Sequence, residues 1–220
     1  MKALAIFGST ARNERSFDSD IDMIGIYDEK KISSVSKGNV SLFLYPETIL
    51  REKMTSGDLF ALHLVKESIP IYGHEQLESI YKDFKYKKNY AMEINTAIKV
   101  SDEIISRYKS LSDYKEANKK MAWCLRTVII SISAQDKTPV FSKKSLSEYV
   151  KIEDIEPRII LALINVKSIR GKLPKRVIDF FSITFSNLSR KYVFDHDNYD
   201  EALFHKILKG IETNTSEKEY

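Results

Sequence analysis

The chain has 220 residues, of which 43% are hydrophobic, and its 35 Lys and Arg against 31 Asp and Glu give a net charge of +4. This composition is ordinary for a globular protein of one large or two small domains, and no apolar run reaches the roughly 18 residues of a transmembrane helix. A single cysteine, Cys124, excludes an internal disulfide and a cysteine-rich zinc site. We therefore expect a cytoplasmic protein that has no membrane partner and no signal peptide.

The first part of the chain predicts a small α/β domain. Three short segments that are rich in aliphatic or aromatic residues and bounded by turn-forming residues predict strands: 3–7, 21–27 and 39–45. The stretch 47–67 has helical character that is interrupted near Gly57, and Asp58 is expected to cap its second half. An extended segment over 68–73 closes this region.

From Tyr81 onward, the apolar residues recur at helical spacing. Three further helices are expected at about 157–170, 174–192 and 198–212. The predicted fold class is therefore α+β. We expect a domain with a short mixed sheet and helices over residues 1–80, followed by an all-α helical domain over 81–220.

Charge is distributed unevenly along the chain. The net charge is −3 over residues 1–81, +5 over 82–126 and +7 over 137–191. An acidic N-terminal part followed by a basic C-terminal part fits a metal–carboxylate site that faces a basic, phosphate-attracting surface. Solvated Lys-rich helix faces explain the same numbers equally well.

Two aspartates, Asp20 and Asp22, stand where an otherwise apolar strand is predicted. Residues two apart on a strand point to the same face, so these carboxylates are expected to project together, with Ile21 and Met23 behind them. Unpaired carboxylates so close repel each other, and a divalent cation removes that cost. Mg²⁺ prefers one or two carboxylates with water and phosphate oxygens. A solvent-exposed strand end is the alternative interpretation of this pair taken alone.

The segment before the aspartates favours the metal site. Gly8 allows a tight turn at the end of the first predicted strand. Ser9 places a hydroxyl and a backbone amide at the start of a short helix, where phosphate oxygens bind favourably. Arg12, one turn later, can add a charge-assisted contact to the same phosphate.

This combination resembles the DNA-polymerase-β-like nucleotidyltransferase superfamily, and in particular small bacterial two-domain members with a helical C-terminal domain. The residues that match its Gly-Ser…Asp-x-Asp pattern are Gly8, Ser9, Ala11, Arg12, Ser19, Asp20, Ile21 and Asp22. Asn13 stands where many members have Gly. The resemblance implies a polymerase-β-like fold for the first domain.

The resemblance also implies a Mg²⁺-dependent enzyme, with Mn²⁺ as an alternative cation. In such enzymes an acceptor hydroxyl attacks the α-phosphate of a nucleoside triphosphate and pyrophosphate leaves. Asp20 and Asp22 are the implied catalytic and metal-binding residues, and the implied nucleotide contacts are Gly8, Ser9, Arg12 and Ser19. Arg126, within an apolar helix, is a further candidate contact for the triphosphate, and an interdomain salt bridge is its alternative role.

The superfamily usually carries a third carboxylate on the next strand, and here Ser41 takes that position. A serine neither holds a metal well nor accepts a proton at neutral pH. Three explanations stay open. An acid from the following helices (Glu47, Asp58 or Glu67) replaces it; the site works with two carboxylates; or the chain binds nucleotides without transferring them.

The sequence identifies neither the acceptor, the preferred nucleotide nor the oligomeric state. The acceptor is a small molecule, a protein or RNA, and three alternative interpretations stay open. They are a catalytically impaired nucleotide-binding or regulatory protein, a toxin–antitoxin or phage-defence component that modifies a protein or RNA, and an RNA-end or tRNA nucleotidyltransferase. The basic segments are relevant to the last of these, since RNA binding depends on cationic surface.

Overall fold

The computed structural model describes residues 1–15, 20–152, 155–192 and 198–212. The chain divides into two compact units, Met1–Lys88 and Asn89–Tyr220, each with its own apolar core. The predicted α+β class is confirmed, because the first unit contains a mixed five-stranded sheet and the described part of the second is helical apart from one isolated bridge. Within the described ranges, no helix combines the length and apolar character needed to cross a membrane.

Five strands form the sheet of the first unit, in the spatial order β3-β4-β2-β1-β5. Their bounds are Ala3–Phe7 (β1), Ile21–Tyr27 (β2), Ser33–Lys37 (β3), Val40–Pro46 (β4) and Ile69–Tyr72 (β5). The β2–β4 pair is parallel, and the other three pairs are antiparallel. The sheet is therefore mixed, with β2 at its centre.

Helices cover one face of this sheet. They are Gly8–Ala11 (α1), Glu47–Thr55 (α2), Leu59–Glu67 (α3) and His74–Tyr81 (α4). Alternate strand residues such as Ala5, Ile24 and Ile26 are fully buried against apolar side chains of these helices, including Leu50 and Leu64. Asp58 caps α3, accepting from two backbone amides, as the sequence predicted.

Strand β3 was missed at the sequence level. All five of its residues are exposed, so it carries no apolar alternation, which is the main sequence signal for a strand. The available signal was the Gly38-Asn39 pair, since Lys37 pairs with Val40 across a two-residue turn. Gly38 has a φ of +60°, which such hairpin turns require. The strand predicted over 39–45 is consequently the fourth in the chain, not the third.

The first unit extends past α4 because the segment after it returns to the corner between α2 and α3. The Lys85 amide donates to the Met54 carbonyl over 3.0 Å. Gly57, at this corner, has a φ of +69°, and a Cβ built on it would lie 2.5 Å from the Lys85 carbonyl oxygen. Only glycine fits here, which explains the break in the predicted helical stretch.

The second unit contains six helices in its described residues: Ala91–Arg107 (α5), Tyr114–Gln135 (α6), Lys143–Tyr149 (α7), Pro157–Asn165 (α8), Lys175–Lys191 (α9) and Glu201–Glu212 (α10). Short 3-10 turns follow α5 at Tyr108–Ser110 and α8 at Val166–Ser168. The helix expected over 157–170 therefore ends earlier. Cys124 is fully buried on α6, and burial raises the pKa of its thiol, so it is an inert core residue.

Candidate functional site

One row of residues crosses four strands of the sheet. Phe7 on β1 pairs with Asp22 on β2, Asp22 pairs with Ser41 on β4, and Ser41 pairs with Ser36 on β3. The two serine hydroxyl oxygens are 3.4 Å apart. Asp22 and Ser41 share the face of the buried Ile24, because residues two apart, and directly paired residues, point to the same side. Asp22 therefore has a hydroxyl, not a carboxylate, beside it on β4.

The turn that follows β1 lies against the carboxylate of Asp22. Gly8 is buried with a φ of +72°, and a Cβ built on it would lie 3.2 Å from Asp22 Oδ2. The backbone of the turn is fixed by hydrogen bonds from Arg12 N–H to the Gly8 carbonyl and from Glu14 N–H to the Ser9 carbonyl. The structure thus brings the Gly-Ser turn and the second aspartate of the motif into contact.

The two aspartates have different surroundings. Asp22 is half-buried within β2, whereas Asp20 directly precedes the strand and is exposed. The Ile21 amide donates to the Asn39 carbonyl over 2.7 Å, which fixes the backbone between the aspartates. Ser19, a predicted nucleotide contact, lies outside the described residues.

Arg12 is held by two carboxylates. Its Nε donates to Glu14 Oε2 over 2.8 Å, and its Nη1 donates to Glu67 Oε2. His63 Nε2 lies 2.7 Å from the same Glu67 oxygen, and the His63 ring packs edge-on against Phe7. The Arg12 and Glu67 side chains are only 17% and 12% exposed. Glu67 is therefore the acid of α3 that forms a hydrogen bond with Arg12, just after the Gly-Ser turn.

The other two candidate acids serve structural roles. Glu47 follows β4 at the end opposite Ser41, about 20 Å away at the rise of a strand. Its carboxylate accepts from Arg51 Nε and Gln76 Nε2. Asp58 caps α3 and also pairs with Lys53 over 2.8 Å. Glu47 and Asp58 are thus engaged away from the row that contains Asp22.

Sequence reasoning named Glu67 only as one of three possible acids and did not connect it with Arg12. The signal that was present is the four-residue spacing of His63 and Glu67, which places both side chains on one face of α3. No spacing rule links Arg12 to Glu67, because they are 55 positions apart in the chain.

The donor set near the Gly-Ser turn fits a hard cation with few protein ligands. It consists of the Asp22 carboxylate and the Ser41 hydroxyl on adjacent strands, with the exposed Asp20 carboxylate just before the strand of Asp22. Mg²⁺ commonly uses one or two carboxylates together with water and substrate phosphate oxygens. Among the residues that the structure describes, no group of three His, Cys, Asp or Glu side chains forms a complete protein cage. A cation here would need oxygen ligands from water or phosphate.

Arg126 lies on α6 in the second unit. Its Nη2 faces the Phe141 carbonyl at 3.5 Å, beside the start of α7. Burial and the charge of Arg126 together lower the pKa of Lys143, whose Nζ donates to Asn165 Oδ1 over 2.6 Å. The structure therefore places two cations close together at this point of the helical unit.

Comparisons with known proteins find likenesses among solved structures alone. No family model matches the chain, and no curated protein matches it. Among solved structures, the chain is similar to a nucleotidyltransferase-like protein from Exiguobacterium sibiricum 255-15, with 14% identity and a TM-score of 0.37, over 86% of this chain and 68% of that one.

Proposed function

We propose that the first unit is a nucleotidyltransferase that depends on Mg²⁺ or Mn²⁺ and uses a nucleoside triphosphate. The acceptor hydroxyl forms a bond to the α-phosphorus, the bond to the bridging oxygen breaks, and pyrophosphate leaves with that oxygen. The hydroxyl proton passes to a base. Asp20 and Asp22 would hold the cation, which supplies charge neutralisation at the phosphates.

The observation that carries this proposal is the contact between Gly8 and the carboxylate of Asp22. A phosphate held at the Gly-Ser turn would lie next to this carboxylate, and a divalent cation between them would relieve the repulsion of the two anions. Gly8 has the backbone conformation and the absence of a side chain that close approach of a phosphate requires. The Ser9 hydroxyl and the Arg12 guanidinium are then the contacts that orient the triphosphate, with Ser19 and Arg126 as further predicted contacts.

Arg12 needs a specific rearrangement to take this role. Its guanidinium already satisfies two carboxylates, so a triphosphate must compete with Glu67 and Glu14 for it. The charge of a triphosphate exceeds that of either carboxylate, and its binding at the turn would move Arg12 from one anion to another. Glu67 would then be released beside the site, where it is the best-placed candidate for the third acid.

A second function is favoured by a specific observation. Ser41 occupies the position beside Asp22, and a hydroxyl does not accept the proton of an attacking acceptor at neutral pH. A nucleotide-binding or regulatory protein that no longer transfers is therefore the alternative. Calorimetric titration with each nucleoside triphosphate and Mg²⁺ measures binding, and a pyrophosphate-release assay measures turnover.

One experiment tests the proposal and identifies the acceptor. The protein is incubated with α-labelled nucleoside triphosphates, Mg²⁺ or Mn²⁺ and cell lysate, and labelled products are separated into small molecules, RNA and protein. We expect label in one class, and none with the Asp22→Asn variant. Binding of triphosphate without label in any class, and without pyrophosphate release, would instead support the regulatory alternative.

A further inference from the structure

A stretch of basic residues joins α8 to α9 in the helical unit. Between Pro157 and Ile178 the sequence contains six Lys or Arg and no Asp or Glu. Five of the six fall within ten residues, here called the basic loop (residues 167–176): Lys167, Arg170, Lys172, Lys175 and Arg176. This segment comprises most of the 3-10 turn after α8, the connection and the first residues of α9.

The backbone of the basic loop is fixed from inside by two buried side chains. Asn118 Nδ2 donates to the carbonyls of Ile169 and Gly171, over 2.9 and 3.0 Å. The Tyr108 hydroxyl donates to Asn118 Oδ1 over 2.7 Å and accepts from the Leu173 amide over 2.9 Å. Burial raises the pKa of Tyr108, which keeps this hydroxyl a donor at neutral pH. A loop fixed in this way loses little conformational entropy when it binds a ligand.

Three of the five charges of the basic loop have no carboxylate partner among the residues that the structure describes. Lys175 pairs with Asp179 over 2.9 Å. Lys172 and Arg176 instead lie over aromatic rings, those of Tyr114 and Phe180. In the described part of the chain, neither of them, nor Arg170, pairs with a carboxylate. Like charges crowded in this way repel one another, so a bound anion would stabilise the loop.

The electrostatics of α9 add to this positive potential. The first turn of α9 contains no acidic residue and has no side-chain cap. Negative charge is favoured at a helix N-terminus, yet this helix opens with Lys175 and Arg176. The local sequence therefore departs from what stabilises a helix, and such departures are expected where a residue is retained for binding.

A groove runs beside the basic loop. It has a volume of about 400 Å³ and is lined by Ser106, Tyr108, Lys109, Lys172, Leu173 and Ile178, among others. Lys109 contributes a further cation from the 3-10 turn after α5. The lining thus combines lysine and apolar side chains with one carboxylate, that of Asp179, which pairs with Lys175. A half-buried aromatic ring, Tyr114, lies under Lys172.

We propose that the basic loop and this groove bind the phosphodiester backbone of single-stranded nucleic acid. A succession of cations along one segment matches a chain of phosphates better than a single anion, and the groove and the Tyr114 ring offer apolar and aromatic surface to a base. A lipid surface fits less well, because Ile169 is the loop's one exposed large apolar side chain and interfacial segments need an apolar face. This proposal does not depend on nucleotidyl transfer by the first unit.

The test measures fluorescence anisotropy of labelled RNA and DNA oligonucleotides of about 16 nucleotides, the upper range for one such binding site, across a series of KCl concentrations. EDTA is present and nucleoside triphosphate is absent, so failure of the transferase proposal does not affect the result. We expect binding that weakens with salt. In the Arg170→Gln/Lys172→Gln/Arg176→Gln variant, the negative slope of log K against log salt should become shallower by about 2. Each lost single-strand phosphate contact removes about 0.7 from its magnitude.

The matched control is Lys119→Gln/Lys120→Gln/Arg158→Gln, which removes the same net charge from residues paired with Glu116 and Glu156. The control should keep its oligonucleotide affinity within about threefold, and the loop variant should lose at least tenfold in affinity at low salt, as for other phosphate contacts.

Equal losses of affinity in both variants, or no binding at low salt, would overturn the proposal. Binding to phosphatidylserine vesicles without oligonucleotide binding, or complete competition by equimolar pyrophosphate, would replace it with a lipid or a small-anion site. Binding of RNA, DNA or both supports the proposal and shows which nucleic acid the loop binds.

Discussion

The guanidinium of Arg12 donates to the carboxylate of Glu67, a residue 55 positions away that also meets His63. This pairing connects the Gly-Ser turn to α3. If Arg12 binds triphosphate, Glu67 competes with the ligand for it. Substitutions of the two residues are therefore expected to have opposite effects on nucleotide affinity.

Glu67→Gln is expected to tighten triphosphate binding by several-fold in EDTA, because Arg12 loses a competing carboxylate. Arg12→Gln is expected to weaken it by roughly tenfold or more, since a hydrogen bond to a charged group contributes about 1.5–3 kcal/mol. Calorimetric titration measures both. If Glu67→Gln instead leaves metal-free binding unchanged and abolishes Mg²⁺-dependent binding, Glu67 acts as the third acid of the site.

Gly8→Ala is expected to abolish triphosphate binding. The new Cβ would press on Asp22 Oδ2 and stand where the phosphate approaches the backbone. Gly38→Ala is the matched control, because Gly38 has a φ of +60° but nothing within 4 Å of a built Cβ. Both variants carry a left-handed backbone cost of about 1–2 kcal/mol in the free energy of unfolding. Normal nucleotide binding by Gly8→Ala would exclude the turn as a phosphate site.

Asp20→Asn and Asp22→Asn are each expected to reduce transfer below detection and to remove the rise in melting temperature that Mg²⁺ with triphosphate gives the wild-type protein. A ligand bound only to the folded state raises stability by about 2.7 kcal/mol at one hundred times its dissociation constant, which thermal scans detect. Asp28→Asn is the control, since Asp28 is an exposed aspartate that pairs with Lys2 just beyond the same strand. Full activity in both variants of the motif would refute this assignment.

Apolar patterning and turn residues predicted the strands of the first unit well where one face of the strand is more buried than the other. β1 and β2 alternate or concentrate apolar residues, and both were predicted with the bounds that the structure has. β3 was missed because hydrogen bonding to β4, not burial, makes it a strand. The pairing of Arg12 with Glu67 could not be predicted, because it depends on how α3 packs beside α1. Periodicity reports which face of a helix is buried, but not which distant residue it meets.

Tyr108→Phe is expected to lower the free energy of unfolding by about 1–3 kcal/mol, because Asn118 Oδ1 and the Leu173 amide lose their partner in a buried place. Tyr114→Phe is the control. Its hydroxyl makes one exposed 3.3 Å bond to the Lys109 carbonyl, so its loss should change stability by less than about 0.5 kcal/mol. Urea denaturation measures both. Equal stability of the two variants would show that Tyr108 does not anchor the basic loop.

The remaining prediction concerns Ser41, which lies beside Asp22 on the neighbouring strand. If the site lacks only one metal ligand, Ser41→Asp adds an anionic oxygen next to Asp22 and is expected to tighten Mg²⁺ binding and leave transfer unchanged or raise it. The neighbouring Ser36 hydroxyl, 3.4 Å from Ser41 in the native protein, offers a hydrogen bond to the new carboxylate.

If Glu67 already supplies the third acid, the added aspartate would crowd a complete site, raise the pKa values of its carboxylates and lower activity. Metal titration together with pyrophosphate release separates the two cases, with Ser41→Asn as a control of similar size and no charge. We expect an active wild-type enzyme, since Asp22 lies against the Gly8 turn and the chain keeps both carboxylates of the motif, Asp20 and Asp22. Triphosphate binding by a wild-type protein that transfers nothing, together with transfer gained in Ser41→Asp, would show that the native chain binds nucleotides without using them.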